Sequence, residues 1–568
     1  MDKNIFLAFN SLDYSYYKKK KLLVVNDHLH KLENLVKRNK KISIQFDKAN
    51  LSRRKKYLDK LRNKIFLKIY KDLNKINKVN KSKKYWKVIT IPWLFQFLDQ
   101  TYNKFQTINK LVKNKKKFKI YKFSKDRVIL PTSYESLHEI YNSDEWDYQI
   151  NFEIIEFFFK NKFQIIEKKN DLISKRIRAL KDKYNKIYFF KKKFLKTFDN
   201  QKVTFFKGHF GKLDEFKLNL SLNQIPNNYK ILSKKLNFKI NDKIRKNKKL
   251  KKINNGIYEK FICENIYKHL PVFLLEQYEH YNNNCDISLP KKPKVIFNIN
   301  SLWWVTLLMF YTAKKISLKK TKLIGYQHGC NYNLYNSFFF DHEVNLCDIF
   351  LTWGWVISKK TKKLGINRTF KKEIMGEDIL IINRSAHKYF LNDPSNYNNM
   401  EWSNYLKVLL NLPNHFNLDL KKKLVYRMHP GNTWNERDFL KKKLKKVRFD
   451  KNNLKSSINK SRIVICTFLD TTFLKCISSN IPVVTYFDFN RANISKKNYL
   501  LLKSLKKQKI LFEDYKELCC HVNDNYQNIK QWWNSEKVQY SVKKFSNVHA
   551  FNEEYKIKKI INHIKSEL

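Results

Sequence analysis

Apolar residues fall along this chain in two rhythms. Ile5 to Asn10 and Leu22 to Asn26 are short apolar runs that predict strands, the second ending close to a His-x-His pair, His28 and His30. From about Leu51 to Leu111 the rhythm turns helical, with lysines between apolar positions and an aromatic knot from Tyr85-Trp86 to Pro92-Trp93-Leu94-Phe95. That stretch predicts a helical subdomain packing its own core. Val128 to Pro131 is a further strand candidate. The acidic segment Ser143-Asp144-Glu145-Trp146-Asp147 reads as a solvated helix start, since no partner cluster accompanies it to hold a metal. Residues 180 to 260 are strongly basic and poor in signals.

From Lys294 the pattern becomes βαβ: strand Val295 to Asn298, helix Leu302 to Lys315, strand Lys322 to Gln327, then His328-Gly329. Another strand, Asp348 to Thr352, precedes Trp353-Gly354-Trp355. After an Asn-rich connection at 383 to 402 a second unit follows, with strands Leu424 to Met428, Ile463 to Cys466 and Val483 to Phe487, and a helix from Thr472 to Ser479. The expected fold is α/β, two Rossmann-like domains facing a cleft. Residues 1–376 form the first, with the helical insertion at about 50–120, and residues 377–568 the second. Leu302 to Ala313 is too short to span a bilayer and reads as a buried helix. Trp532-Trp533 reads as helix packing.

A chain of 568 residues with 43% apolar content is too long for one core and has enough material for two or three. Its formal charge of +67 is spread along the whole length, beside abundant Asn, Ile, Phe and Tyr and only 9 Gly and 10 Pro. That is the signature of an AT-rich coding sequence, so the charge by itself does not identify a nucleic-acid binder. It still draws the protein toward anionic headgroups and anionic small molecules. The 8 cysteines show no C-x-x-C pair or metal-like grouping with His and read as reduced thiols. Met1-Asp2-Lys3 and the few apolar residues after it lack the length of a signal peptide. The expectation is a cytoplasmic protein with peripheral contact at an anionic inner-membrane surface.

The chemistry concentrates at two strand ends. One strand runs into Arg427-Met428-His429-Pro430, and another into Thr467-Phe468-Leu469-Asp470-Thr471-Thr472. Ligands of open α/β sheets sit beyond the carboxyl ends of the strands. There Arg427 can fork to phosphate oxygens, His429 can donate one hydrogen bond, and the helix opening near Thr471 offers backbone N–H groups. A phosphorylated ligand is the first hypothesis. The alternative for His429 is a structural role at a strand end.

These residues resemble a family. The C-terminal half is similar to GT-B glycosyltransferases that use CMP-activated acidic sugars, whose bacterial sialyltransferase members carry a His-Pro motif and a later Ser/Thr pair at the donor phosphate. His429-Pro430 and Thr471-Thr472 stand at the matching places. The whole chain resembles a family of surface-carbohydrate transferases associated with O-antigen and other surface polysaccharides. The resemblance lies in Tyr85-Trp86 to Trp93, Asp144-Glu145-Trp146, Tyr326-Gln327-His328-Gly329, Leu351-Thr352-Trp353-Gly354-Trp355 and Cys466-Thr467. Two departures stand out: Cys330 and Asn331 follow Gly329 where more glycine is usual, and the acidic motif that supplies the sialyltransferase base has no counterpart.

The resemblance implies a GT-B-like fold and a sugar transfer that needs no cofactor and no metal; an inverting transfer would need a base for the acceptor hydroxyl. Arg427, His429, Thr467, Thr471 and Thr472 would hold the donor phosphate, while Gln327, Gly329, Trp353 and Trp355 would line the acceptor side. His328, Glu343 and Asp341 are the candidates for the base. Loop acids are more often solvated, and Asp341-His342-Glu343 also reads as a weak D-x-D-like metal pattern. Trp353 and Trp355 read as core or cleft wall, with sugar stacking as the alternative. The implied partners are a nucleotide-sugar, such as CMP-activated Kdo or another nonulosonic acid, and a lipid-linked or surface glycan. A nucleoside-diphosphate sugar or polyol-phosphate transferase is the neighbouring reading. A nucleic-acid-binding protein is the reading from another class, although no P-loop, zinc-finger spacing or isolated basic arm supports it.

Overall fold

The computed structural model describes residues 5–10, 22–25, 40–42, 48–113, 117–122, 128–167, 171–192, 200–206, 210–226, 229–318, 320–329, 332–335, 338–367, 369–371, 376–389, 399–431, 433–489 and 494–568. His28, His30, Cys330, Asn331 and the 390–398 part of the Asn-rich connection lie outside these residues. Among the described residues three parallel sheets organise the fold. The first contains β1 (Phe6–Ala8), β2 (Leu22–Val25), β3 (Lys40–Ile42), β4 (Phe118–Lys122) and β5 (Phe163–Glu167), in the order β3-β2-β1-β4-β5. β6 (Lys186–Lys192) and β8 (Tyr229–Lys235) pair antiparallel as a separate ribbon.

The second sheet runs β12-β11-β10-β9-β7, built from β7 (Val203–Phe205), β9 (Val295–Asn298), β10 (Lys322–Tyr326), β11 (Ile349–Thr352) and β12 (Thr361–Lys363). The third has β13 (Asp378–Ile382), β14 (Leu424–Arg427), β15 (Arg448–Phe449), β16 (Ser461–Cys466), β17 (Val483–Tyr486) and β18 (Leu511–Phe512). Its order, β15-β14-β13-β16-β17-β18, is that of a doubly wound Rossmann sheet, with the reversal between β13 and β16. The α/β fold with two Rossmann-like units is therefore present, and the N-terminal segment adds a third parallel sheet. One contiguous apolar cluster joins Phe297, Ile324 and Tyr326 of the second sheet to Leu380 and Val464 of the third.

Several local expectations change. Val128 to Pro131 is not a strand. The acidic segment does begin a helix, Asp144–Phe158, capped by Ser143, but Asp144, Glu145 and Asp147 are buried rather than solvated. Buried carboxylates need cations and donors. Asp147 pairs with Lys104 and accepts from Asn10 Nδ2 at 2.8 Å, while Asp144 pairs with Lys388 and accepts from the Tyr389 hydroxyl at 2.6 Å. Since Lys388 and Tyr389 follow β13, this cluster ties the first sheet to the third.

The aromatic knot forms a helix, Lys83–Val112, despite Pro92 in its interior. Proline removes one rung of the helical ladder and strains the next. The buried Tyr134 hydroxyl repairs the gap, accepting from Trp93 N at 3.1 Å and donating to Ile89 O at 3.0 Å. Among the described residues no helix is long and apolar enough to cross a membrane.

The C-terminal segment returns to the second sheet. Phe551 N donates to Trp353 O and Ile366 N to Phe551 O, each at 2.8 Å. Gly354 makes this docking possible: at φ +142° its missing Cβ would lie 2.7 Å from Asn547 O and 2.8 Å from Val548 O. Gly354→Ala combines that clash with a backbone angle closed to L-residues, so it should cost roughly 1–3 kcal/mol or more. Urea unfolding of the variant measures this, with a loss below about 0.5 kcal/mol, the scatter of neutral surface changes, contradicting it.

Candidate active site

The reversal of strand order puts the topological switch point, where open α/β sheets form their ligand crevice, at the carboxyl ends of β13 and β16. β13 delivers Asn383 and Arg384, β14 delivers His429, and β16 delivers Thr467 to Asp470 ahead of the helix Thr471–Ser478. Arg384 was missed from the sequence, although its signal was present. The uninterrupted Ile379-Leu380-Ile381-Ile382 run before it is the buried central strand of the sheet. The Arg384 guanidinium lies over the Phe468 ring, 4.6 Å from its centroid. Its charge acts on both His429 and Asp470.

His429 is held as a neutral imidazole, its pKa lowered by burial and by the charges of Arg384 and Arg437. Its Nδ1 accepts from Gly431 N at 3.0 Å, which fixes the proton on Nε2 and makes that nitrogen a donor. Asp470 caps the helix, accepting from Phe473 N at 3.0 Å and also bonding the Thr472 amide. Burial nevertheless raises its pKa to about 6. Two of the helix-start amides expected to greet a phosphate are therefore already taken. What this end offers a ligand is the Thr471 and Thr472 hydroxyls and the nearby Arg384 cation.

Arg427 and Thr467 are placed elsewhere. Arg427 pairs with Asp450, whose side chain is buried, and donates to Asn452 O at 2.8 Å. It is turned toward β15, not toward the crevice, because a buried carboxylate there needs a cation. The Thr467 hydroxyl is fully buried, donating to Ile382 O at 2.8 Å and lying 2.7 Å from the Tyr405 hydroxyl. It anchors the strand end.

Facing this crevice is the turn after β10. An ideal Cβ on Gly329 would sit 3.5 Å from Thr471 Oγ1, so the Gln-His-Gly turn and the helix start of the third sheet meet directly. Gln327 is a staple rather than an acceptor contact. Its Oε1 accepts from Trp353 N and from Trp355 Nε1, both at 2.8 Å, and its Nε2 donates to Gly329 O at 2.8 Å. Trp353 and Trp355 are buried in the core, which excludes sugar stacking on either ring.

Behind His328 lies a buried relay. His328 Nδ1 is 3.2 Å from Ile299 O and 2.9 Å from the Tyr332 hydroxyl. A carbonyl can only accept, so Nδ1 carries the proton and Nε2 the lone pair. Tyr332 in turn donates to Glu343, which also accepts from Asn298 Nδ2 at 3.3 Å. Glu343 is wholly buried and Asp341 exposed, so neighbours in sequence are parted by the helix Phe338–Leu346 that carries them. The weak D-x-D-like pattern thus does not converge. Among the described residues no group of three or more His, Cys, Asp or Glu is arranged to hold a metal ion.

Burial raises the Glu343 pKa from 4.5 to about 8, against the opposing bonds from Tyr332 and Asn298. An acid whose folded pKa is raised binds its proton more tightly when folded. Its contribution is therefore fully present below the unfolded pKa and is lost as pH rises through the folded one. Between about pH 5 and pH 8 wild type should lose on the order of 1 kcal/mol per pH unit relative to Glu343→Gln. Parallel urea titrations of both proteins measure the difference, and superimposable pH profiles would contradict the assignment.

No curated protein matches the chain. Solved structures resemble parts of it at low identity. The S. aureus MnaA complex with UDP has a TM-score of 0.32 and 12% identity, covering 50% of this chain and 78% of its own. The wall teichoic acid polymerase TagF with CDPG has 0.29 and 10%, covering 44% and 67%. Acinetobacter baumannii MurG has 0.28 and 9%, covering 48% and 74%. The family model of the LIC12162 family transferases matches residues 6–564, nearly the whole length, and the chain belongs to that transferase family.

Proposed function

We propose that this transferase is a GT-B-type glycosyltransferase, with its nucleotide-sugar donor at the carboxyl edge of the third sheet and its acceptor on the side of the second. The observation that carries the reading is the approach of Gly329 to Thr471, at the switch point of a Rossmann sheet. Arg384 and the Nε2–H of His429 are assigned to the donor phosphate, with Thr471 and Thr472 beside them. A cation and neutral donors fixed there before reaction stabilise the charge that develops on the departing phosphate. His328 is assigned as the base: its Nε2 takes the acceptor hydroxyl proton, while Tyr332 holds the ring and Glu343 holds Tyr332. The donor we favour is a CMP-activated acidic sugar, Kdo or another nonulosonic acid, and the acceptor a lipid-linked or surface-destined glycan. The His429-Pro430 and Thr471-Thr472 resemblance supports that choice.

Thermal unfolding against CMP, CDP, UDP, GDP and a short single-stranded DNA at fixed salt tests the reading. A ligand at about 100 times its Kd stabilises by about 2.7 kcal/mol. Selective stabilisation by CMP is expected. Selection of UDP or GDP would move the donor to a nucleoside-diphosphate sugar. Salt-sensitive DNA binding without any nucleotide effect would overturn the transferase site.

Variants sharpen the assignment. Arg384→Ala and His429→Ala should each weaken nucleotide binding by roughly 1–3 kcal/mol, the cost of a lost charged hydrogen bond, while folding is retained. Arg427→Ala should instead lower stability and leave nucleotide affinity near wild type. The reverse pattern, measured by calorimetric titration, would return the phosphate to Arg427. Tyr332→Phe and His328→Gln should both reduce kcat with donor affinity kept. Full activity of His328→Gln would remove it as the base.

A further inference from the structure

The helix Lys212–Leu220 follows β7 at the edge of the second sheet, burying Leu218 and Asn219, and packs beside the C-terminal helix Lys556–Lys565. Its outward face is unusual. Leu213 is 75% exposed, Phe216 54% and Leu220 63%, and Ile225 just beyond is 56% exposed. Spacings of three and four residues put the first three on one stripe. At 100° per residue, Lys212 and Lys217, both exposed, border that stripe on opposite sides. The neighbouring helix adds exposed Lys558, Lys559 and Lys565.

The chemistry of this face selects its occupant. An apolar stripe bordered by lysines matches a surface with an apolar interior and an anionic rim. A second copy would bring a chain of formal charge +67 against another of the same charge. A nucleic acid would satisfy the lysines and leave the leucines and the phenylalanine in water. We propose that this face seats on an anionic lipid bilayer. Leu213, Phe216, Leu220 and Ile225 enter the boundary between headgroups and acyl chains, and Lys212 and Lys217 meet lipid phosphates. The unit that carries His328 is then the one held at the membrane, where a lipid-linked acceptor would be presented. That last link rests on the proposed function, whereas the lipid binding itself does not.

Cosedimentation of the full chain with vesicles, without donor or acceptor, tests it. Binding is expected to vesicles of phosphatidylcholine mixed with phosphatidylglycerol and not to phosphatidylcholine alone. The triple variant Leu213→Ser, Phe216→Ser, Leu220→Ser should lose about tenfold or more in apparent affinity, since several buried CH₂ groups are removed. Its thermal unfolding and nucleotide binding should match wild type. Lys212→Glu with Lys217→Glu should also weaken binding, most at low salt. Triple-variant binding as tight as wild type would assign the attraction to diffuse charge and overturn the proposal. A wild-type dimer that the triple variant dissociates, seen by sedimentation velocity, would give the face to a second copy and overturn it as well. Failure of nucleotide binding leaves the vesicle result unaffected, so the two readings fail separately.

Discussion

Parallel strands cannot be joined by tight turns, so each pair needs a crossover, and the direction in which crossovers proceed decides where a sheet has an opening. In the third sheet they run one way from β13 to β15 and the other way from β16 to β18, which leaves the ends of β13 and β16 uncovered by either run. The residues proposed for the donor lie around that opening: Arg384 after β13, the Thr471 helix after β16, and His429 from the adjacent β14. The second sheet, whose order has no reversal, presents its Gln-His-Gly turn to the same place. Gln327 fixes that turn by joining the β10 and β11 loops through three hydrogen bonds of 2.8 Å.

The charge of the chain is divided by burial. Several interior acids draw a cation: Asp147 takes Lys104, Asp144 takes Lys388, Asp450 takes Arg427 and Glu276 takes Arg245. Such pairs hold position more than they stabilise, because desolvation offsets much of their attraction. They explain why a basic residue at a strand end is not automatically a ligand site. Arg427 looked like a phosphate cation in sequence and is spent on a neighbour. Among the described residues Glu343 meets hydroxyl and amide donors and no cation, and burial leaves it with a raised pKa.

Much of the fold was legible from local patterns. Continuous apolar runs marked β9, β10, β11, β14, β16 and β17, because strands covered on both faces need no polar alternation. Lysine-spaced apolar positions marked the two long helices near 48–112. The first sheet was only partly seen, since its strands are short and widely separated, and β7 lay hidden in a basic stretch. β13 is harder to recognise although it holds four apolar residues in a row, because a polar connection follows it directly. His429, Thr471, Thr472, His328 and Gly329 stand out by residue type and by their place after apolar runs, and the structure puts them on loops at the ends of β14, β16 and β10.

The sequence by itself determined the α/β class, the strand ends at which the candidate residues stand, and the membership of residues 6–564 in a transferase family. These follow from local rules of periodicity, turn chemistry and motif. Only the tertiary structure decided which of those residues share a space. Arg427 turns to Asp450 while Arg384 lies beside Phe468, Glu343 withdraws behind Tyr332, and both tryptophans of the Trp-Gly-Trp segment go to the core. The physical reason is that burial and partner choice depend on residues far apart in the chain. A buried Asp450 claims its arginine, a Cβ-free Gly354 admits the returning C-terminal segment, and neither requirement is written near the residue it controls.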